Sequence, residues 1–226
     1  MQYLRIFCVR HGQTVDTLKF IFNGWSDVEL SDLGREQLDH AVKALKGQPI
    51  DAVYSSDLKR AMYGGNSLAK ELGQELRLEP NFREVNFGEC ERLTFPMIKE
   101  KFPELASYIL YPESGKFQFP GGESADTFRE RIRGALASLR ERHAEGCVAL
   151  FCHSGVCRVL LAEALNLSNI EMWNFDIDFA SLNVIDFFAG GAIRVKLVNG
   201  YLGPNGYNQP GPGFDRLTYN PQKLTY

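Results

Sequence analysis

Two histidines, two arginines and a glutamate stand where they could carry phosphoryl chemistry. Arg10-His11 lies directly behind an apolar run, Arg60 shortly after a second run, Glu84 in Arg83-Glu84-Val85-Asn86-Phe87-Gly88, and His153 at the end of a third run. An imidazole is a competent nucleophile near neutral pH, and a guanidinium can grip phosphate in bidentate fashion. Phosphoryl transfer asks for an in-line nucleophile, cations and donors on the equatorial oxygens, and an acid for the leaving oxygen. His11 suits the first role, forming a phosphohistidine. Arg10 and Arg60 suit the second, with His153 as a further donor. Glu84 suits the third, as proton donor to the leaving group and then base for the attacking water. The helix after His153 can add its N-terminal N–H groups and positive dipole end. The set requires no metal ion or cofactor.

Each of these residues must be delivered by an element. Tyr3 to Val9 is short, apolar and rich in β-branched and aromatic residues, which predicts a strand carrying Arg10 and His11 to its C-terminal lip. That lip is where open α/β sheets place ligands. A loop over 13–30 leads to a helix opening at Ser31, with Leu38, Val42 and Leu45 as its buried stripe before Gly47. Ile50 to Tyr54 predicts a second strand, and Ser55-Ser56-Asp57 are good N-cap residues for a helix carrying Arg60 in its first turns. Leu76-Arg77-Leu78 is a weaker strand. Between Thr94 and Phe119 short helical pieces are broken at Pro103 and Pro112, so about 92–120 reads as an insertion over the sheet and a candidate lid.

Pro120-Gly121-Gly122-Glu123-Ser124 caps a long amphipathic helix with Phe128, Ile132, Ala135, Leu136 and Leu139 on its apolar face. Cys147 to Phe151 reads as a fully buried strand, His153-Ser154-Gly155 as its exit turn, and Val156 to Leu165 as a helix. Leu182 to Phe188 and Ile193 to Val198 flank Gly190-Gly191, a hairpin signal. The alternation predicts an α/β fold: a doubly wound, mostly parallel sheet with helices on both faces, a small cap-like insertion and a C-terminal edge hairpin. Residues 1–204 are expected to form one domain. Beyond Asn199 the chain is rich in Gly, Pro, Asn and Tyr with no period and is expected to be coil, with 205–226 as a tail outside the domain.

Composition narrows the function class. The 226 residues are 44% hydrophobic and 23% charged with a formal net charge of -3, so no general field would attract nucleic acid or an anionic membrane. The first strand begins almost at Met1, leaving no room for a secretory leader, and no stretch is long and apolar enough to span a bilayer. The cytoplasm is the expected compartment. Five cysteines, an odd number, read as free thiols rather than disulfides, and the spacing of Cys147, Cys152 and Cys157 is not that of zinc ligands.

At the residues named first the chain resembles the histidine phosphatase superfamily, the phosphoglycerate mutase-like proteins. Arg10-His11-Gly12-Gln13-Thr14 looks like its signature, Ser55-Ser56-Asp57-Leu58-Lys59-Arg60-Ala61 like its second arginine motif, Glu84 to Gly88 like its acid motif and Cys152-His153-Ser154-Gly155 like its second histidine motif. Pro120 to Ser124 is similar to a segment of the small bacterial phosphatases of that group. The resemblance runs in order from residue 3 to about 200. It implies the family fold and a metal-free phosphohistidine mechanism acting on a small phosphorylated metabolite. It also departs in places: Thr17 stands where relatives usually carry asparagine, Ile21 where they carry a further arginine, and Cys90 and Arg92 where they carry tryptophan and glycine. Asn23-Gly24 resembles the family's next glycine pair and makes Asn23 a phosphate contact. Arg92 is free to recognise a second anionic group.

Each residue also has a plainer reading. An Arg-His pair after a strand is often a surface turn, Arg60 a solvated helix residue, and Glu84 the partner of Arg83 in a loop ion pair. His40 and His143 read as ordinary helix residues, and Arg129, Arg131 and Arg133 as an exposed helix face. Among activities, a phosphomonoester hydrolase is expected. The alternatives are a phosphoglycerate mutase-type enzyme and a weakly catalytic protein that binds a phosphorylated ligand. A chemically distinct rival is a cysteine phosphatase, because Cys152-His153-Ser154-Gly155-Val156-Cys157-Arg158 fits a Cys-x-x-Gly-x-x-Arg phosphate loop with Cys152 as nucleophile. Tyr201, Tyr207, Tyr219 and Tyr226 suit packing over the pocket or an interface between two copies of the chain.

Overall fold

Alternate residues of the central strands serve two separate apolar layers. In the strand Tyr3–Arg10 (β1), Leu4, Ile6 and Cys8 belong to one buried cluster and Phe7 and Val9 to another. A period-two strand can bury both faces only if packed layers cover both sides of its sheet. The computed structural model describes residues 3–110, 117–200, 202–203 and 206–207. In it, Ala52–Ser55 (β2), Leu76–Leu78 (β3) and Gly146–Cys152 (β4) join β1 in parallel, while Leu182–Phe188 (β5) and Ile193–Gly200 (β6) run antiparallel as an edge hairpin. The six strands lie in the order β3-β2-β4-β1-β5-β6.

The helices are Asp32–Leu45 (α1), Lys59–Leu72 (α2), Phe95–Lys101 (α3), Pro103–Leu110 (α4), Ala125–Arg142 (α5) and Ser154–Leu165 (α6). Leu38, Val42 and Leu45 of α1 and Leu68 of α2 pack with Phe7, Val53 and Phe151 on one face. Phe128, Ile132 and Leu139 of α5 and Val156 and Leu160 of α6 pack with Ile6, Tyr54 and Leu150 on the other. Each large side chain so buried contributes about 1.5–3 kcal/mol of transfer free energy. The doubly wound, mostly parallel sheet and the edge hairpin therefore stand as the sequence predicts.

Local starts differ in two places. Ser31 caps α1, accepting the Gly34 N–H, and Ser124 and Thr127 form a capping box on α5. The serines before α2 do not cap it. Leu58 holds the N-cap position without a side-chain bond, Ser56 is turned toward His153, and Asp57 pairs with Arg83. The last parallel strand passes directly into α6, which opens at Ser154 with His153 as N-cap, two residues before Val156. Leu202–Gly203 (β7) and Gly206–Tyr207 (β8) pair where the sequence predicts coil. The rest of the expected tail, with Tyr201, Tyr219 and Tyr226, and the break at Pro112 lie outside the described residues. Among the described residues no helix is long and apolar enough to cross a membrane.

Candidate active site

The register of the parallel strands places the chemistry. Arg10 pairs with Cys152, and one residue further the His11 N–H donates to the Cys152 carbonyl at 2.9 Å. Ser56 N–H donates to the Phe151 carbonyl at 3.0 Å. The exits of β1, β4 and β2 thus meet at one edge, and the rings of His11 and His153 lie 5.2 Å apart between centroids. Glu84 arrives from the loop after β3, so four strand exits converge there. A cavity of about 460 Å³ at this edge is lined by Arg10, His11, Asn23, Arg60 and Glu84 among others. His153 sits beside it through its contact with His11.

The hydrogen bonds assign the protons. His11 Nδ1 lies 2.7 Å from the Gly12 carbonyl. A carbonyl only accepts, so Nδ1 carries the hydrogen and Nε2 keeps its lone pair. Burial, Arg60 and Arg10 hold His11 well below the usual histidine range, which keeps the ring neutral. His153 Nε2 lies 2.7 Å from Ser56 Oγ, while Nδ1 is buried with no partner. Among the described residues the Ser56 hydroxyl has no acceptor for its hydrogen other than Nε2; with that hydrogen given to Nε2, a neutral His153 carries its own on Nδ1, which is then a donor. Burial, followed by Arg60, His11 and Arg10, pushes His153 down as well.

Arg10 and Arg60 are buried cations. Arg10 Nη1 donates to the Ile177 carbonyl at 2.5 Å, and the guanidinium stacks 3.8 Å from the Phe179 ring centroid. Arg60 donates to the carbonyls of Ser26 and Gly24 at 2.8 and 2.6 Å and to that of Asn23 at 3.2 Å. Burial pushes each down to about 10, so both remain charged at neutral pH. The Nε atoms of both, like His153 Nδ1, are buried and have no partner among the described residues.

Glu84 is not the partner of Arg83, which binds Asp57 instead. Its carboxylate accepts the Val85 N–H at 3.0 Å and the Gly155 N–H of α6 at 3.1 Å. Its carbonyl accepts Trp25 Nε1 at 2.9 Å and Arg131 Nη2 at 3.1 Å. Arg131 also binds the carbonyls of Asn81 and Arg83 and both oxygens of Glu123. The expectation of an exposed arginine face on α5 is therefore wrong for two of its three members: Arg131 and Arg129, the latter bound to Glu163, are mostly buried, and Arg133 alone is half exposed. Ser56 and Arg131 are the residues the sequence reading missed. Their signals were a serine one step past a strand and an arginine flanking the apolar stripe of α5. His143 forms a hydrogen bond with the Tyr54 hydroxyl at 2.9 Å and is not among the residues that line the cavity.

The chain matches the histidine phosphatase superfamily, branch 1, over residues 6–200. It belongs to that superfamily. It is 32% identical over 201 residues to a bifunctional protein of Mycobacterium tuberculosis, covering 88% of this chain and 55% of the relative, so it spans about half the length of the first curated relatives it matches. It is 30% identical to phosphoglycerate mutase-like protein 4 of Arabidopsis thaliana, covering 96% of this chain and 95% of the relative. Among solved structures it is similar to the mycobacterial glucosyl-3-phosphoglycerate phosphatase, with a TM-score of 0.79, 26% identity, and 88% and 99% of the two chains covered.

The departures from the histidine phosphatase pattern now have a structural setting. Thr17 Oγ1 accepts the Thr14 N–H at 3.0 Å, and Ile21 bridges to Thr94, so both line the His11 cavity without adding a cation. Arg92 occupies the left-handed region at φ 66°, which explains why glycine suits this position. Its guanidinium is engaged by Asp16 and by Asn23 Oδ1, so it is not free for a second anion. With Oδ1 so occupied, the amide nitrogen is the remaining side-chain donor of Asn23, a residue of the cavity lining.

Cys152 takes no place in the cavity lining. Its Sγ packs 3.3 Å from that of Cys8 and 3.6 Å from that of Cys157, and burial pushes the thiol up, opposite to what a thiolate nucleophile needs. These three sulfurs are the one group among the described residues close enough together to share a metal ion. They lie fully buried in the apolar layer beneath the histidines.

Proposed function

We propose that this chain is a metal-independent phosphomonoester hydrolase that acts through a phosphorylated His11. The observation that carries the reading is the set of three buried donors without partners among the described residues, Arg10 Nε, Arg60 Nε and His153 Nδ1, in the residues gathered around His11. Leaving a buried donor unmade costs about 1–3 kcal/mol, so three together mark a place built for an anion.

In the first step His11 Nε2 attacks phosphorus in line, the N–P bond forms, and the bond to the leaving oxygen breaks as Glu84 supplies its proton. Arg10, Arg60 and His153 hold the equatorial oxygens, and the Asn23 amide donates to one of them. In the second step Glu84 takes a proton from water, which attacks phosphorus and releases phosphate and the original imidazole. Hydrolysis is favoured over phosphoglycerate mutase chemistry because the described residues that wall the cavity on the far side of Glu84 are mostly aromatic rings rather than the several cations a second phosphate would need. A binding-only role would leave the bare Nε2 of His11 unexplained.

The test is to trap the intermediate with an aryl phosphate. Acid-labile phosphate should appear on the wild type and be absent from His11→Ala, with phosphate release lowered at least roughly a thousandfold. An acid-stable adduct lost in Cys152→Ser would assign the chemistry to the thiol instead.

A further inference from the structure

Glu84 and Phe87 line both the His11 cavity and a second one, of about 250 Å³. The two cavities therefore adjoin at Glu84, the residue that would protonate the leaving oxygen. The walls of the second are unusually aromatic. Phe22 and Phe87 lie 5.2 Å apart, Phe87 and Phe119 4.8 Å, Phe119 and Phe117 5.1 Å, and Phe117 and Trp173 6.3 Å, a continuous run of ring contacts, with Tyr108 completing the enclosure. Such edges and faces suit a flat ring in offset or T-shaped contact.

Besides Glu84, Arg158 is the one charged side chain that lines this cavity among the described residues. It is held in place: Nε donates to the Phe175 carbonyl at 3.0 Å, Nη1 to Ser154 Oγ, and the guanidinium lies 5.2 Å from the Trp173 ring centroid. Glu84 and Asp176 are the carboxylates that act on it, yet neither forms an ion pair with it among the described residues. Burial disfavours its charge. This guanidinium is largely withdrawn from water beside Trp173, with Nε and Nη1 held by protein oxygens and no bond to Nη2 among the described residues, so Nη2 is the nitrogen it can offer to a carboxylate.

We propose that the leaving group of this enzyme is an aromatic alcohol carrying a carboxylate, with its ring in the aromatic cavity and its carboxylate on Arg158. The proposal rests on the phosphatase reading. It assigns specificity to Arg158, the residue that ends the cysteine-phosphatase-like motif.

The probes are 4-carboxyphenyl phosphate, phenyl phosphate and 3-phosphoglycerate. The wild type should prefer them in that order by kcat/KM, with roughly tenfold or more between the two aryl esters, the worth of one charge-assisted hydrogen bond. Arg158→Met should collapse that ratio toward one, and Arg158→Lys should restore part of it. Tyr108→Ala, at a half-exposed position, should lower both aryl esters relative to 3-phosphoglycerate. Each ratio is taken on one preparation, so partial unfolding does not move it. Equal rates on the two aryl esters, a ratio unaltered in Arg158→Met, or 3-phosphoglycerate as the best substrate overturns the proposal while leaving the phosphatase reading intact. Titration of the same probes into His11→Ala separates the remaining case: the binding preference without any hydrolysis by wild type keeps the aromatic site and rejects the phosphatase reading, and neither rejects both.

Discussion

His11 keeps a bare Nε2 because the Gly12 carbonyl holds the hydrogen on Nδ1. Glu84 has an equally local device. The N–H of Gly155 holds its carboxylate, and a Cβ at residue 155 would lie 2.3 Å from Glu84 Oε1, far inside contact distance. The small side chain after His153-Ser154 is thus required by the glutamate rather than by backbone conformation. Gly155→Ala should displace the carboxylate and lower kcat on glycerol phosphate by roughly a hundredfold, the usual worth of a general acid. On 4-nitrophenyl phosphate, whose leaving group departs without a proton, the loss should be much smaller. Steady-state rates on the two esters check this, and equal losses on both would argue for general disruption. At this scale His11, Arg10, Arg60, Glu84, Asn23 and His153 were all named from strand exits and motifs. Ser56 and Arg158 were not seen as partners of the site, because their roles depend on what faces them.

Elements hold these residues through contacts that pattern does not reveal. The loop carrying Glu84 has little regular structure, and Arg131 of α5 fixes it by binding three of its carbonyls while paired with Glu123. Both side chains of that pair are mostly buried, so Arg131→Ala leaves the Glu123 carboxylate without its cation and removes a bond from each of three carbonyls, a loss of about 3 kcal/mol. Denaturant unfolding should show it, and residual folded enzyme should lose activity on poor leaving groups first. Helix and strand positions were legible because period and apolar runs are local properties. The start of α2 was misread for a physical reason: Ser56 and Asp57 have the right chemistry to cap, but His153 and Arg83 compete for them and win. The arginines of α5 were misread because a flanking position is exposed only where no neighbouring loop covers it.

Over the whole molecule, the gathering of two arginines around two buried histidines makes stability depend on pH. The unfolded chain protonates His11 and His153 near the ordinary value of 6.5, whereas burial and the arginines hold both lower in the fold. The unfolded state therefore binds more protons as the pH falls, so their contribution is complete above about pH 7 and is lost below it, by up to about 1.4 kcal/mol per pH unit for each. Urea midpoints measured from pH 8 to 5 should fall, and His11→Asn should flatten the slope by up to half. Bound phosphate should offset the loss, since an anion relieves the repulsion among the cations. By itself the sequence determined the doubly wound α/β class, the strand exits that carry arginine, histidine and glutamate, and the family those motifs resemble, because hydrophobic period and turn chemistry act over a few residues. The tertiary structure alone decided that Ser56 would meet His153 across 97 positions, that Arg131 would clamp the Glu84 loop, and that aromatic side chains from separate segments would enclose Arg158. Those relations depend on strand register and on both packed layers closing at once, which no local pattern encodes.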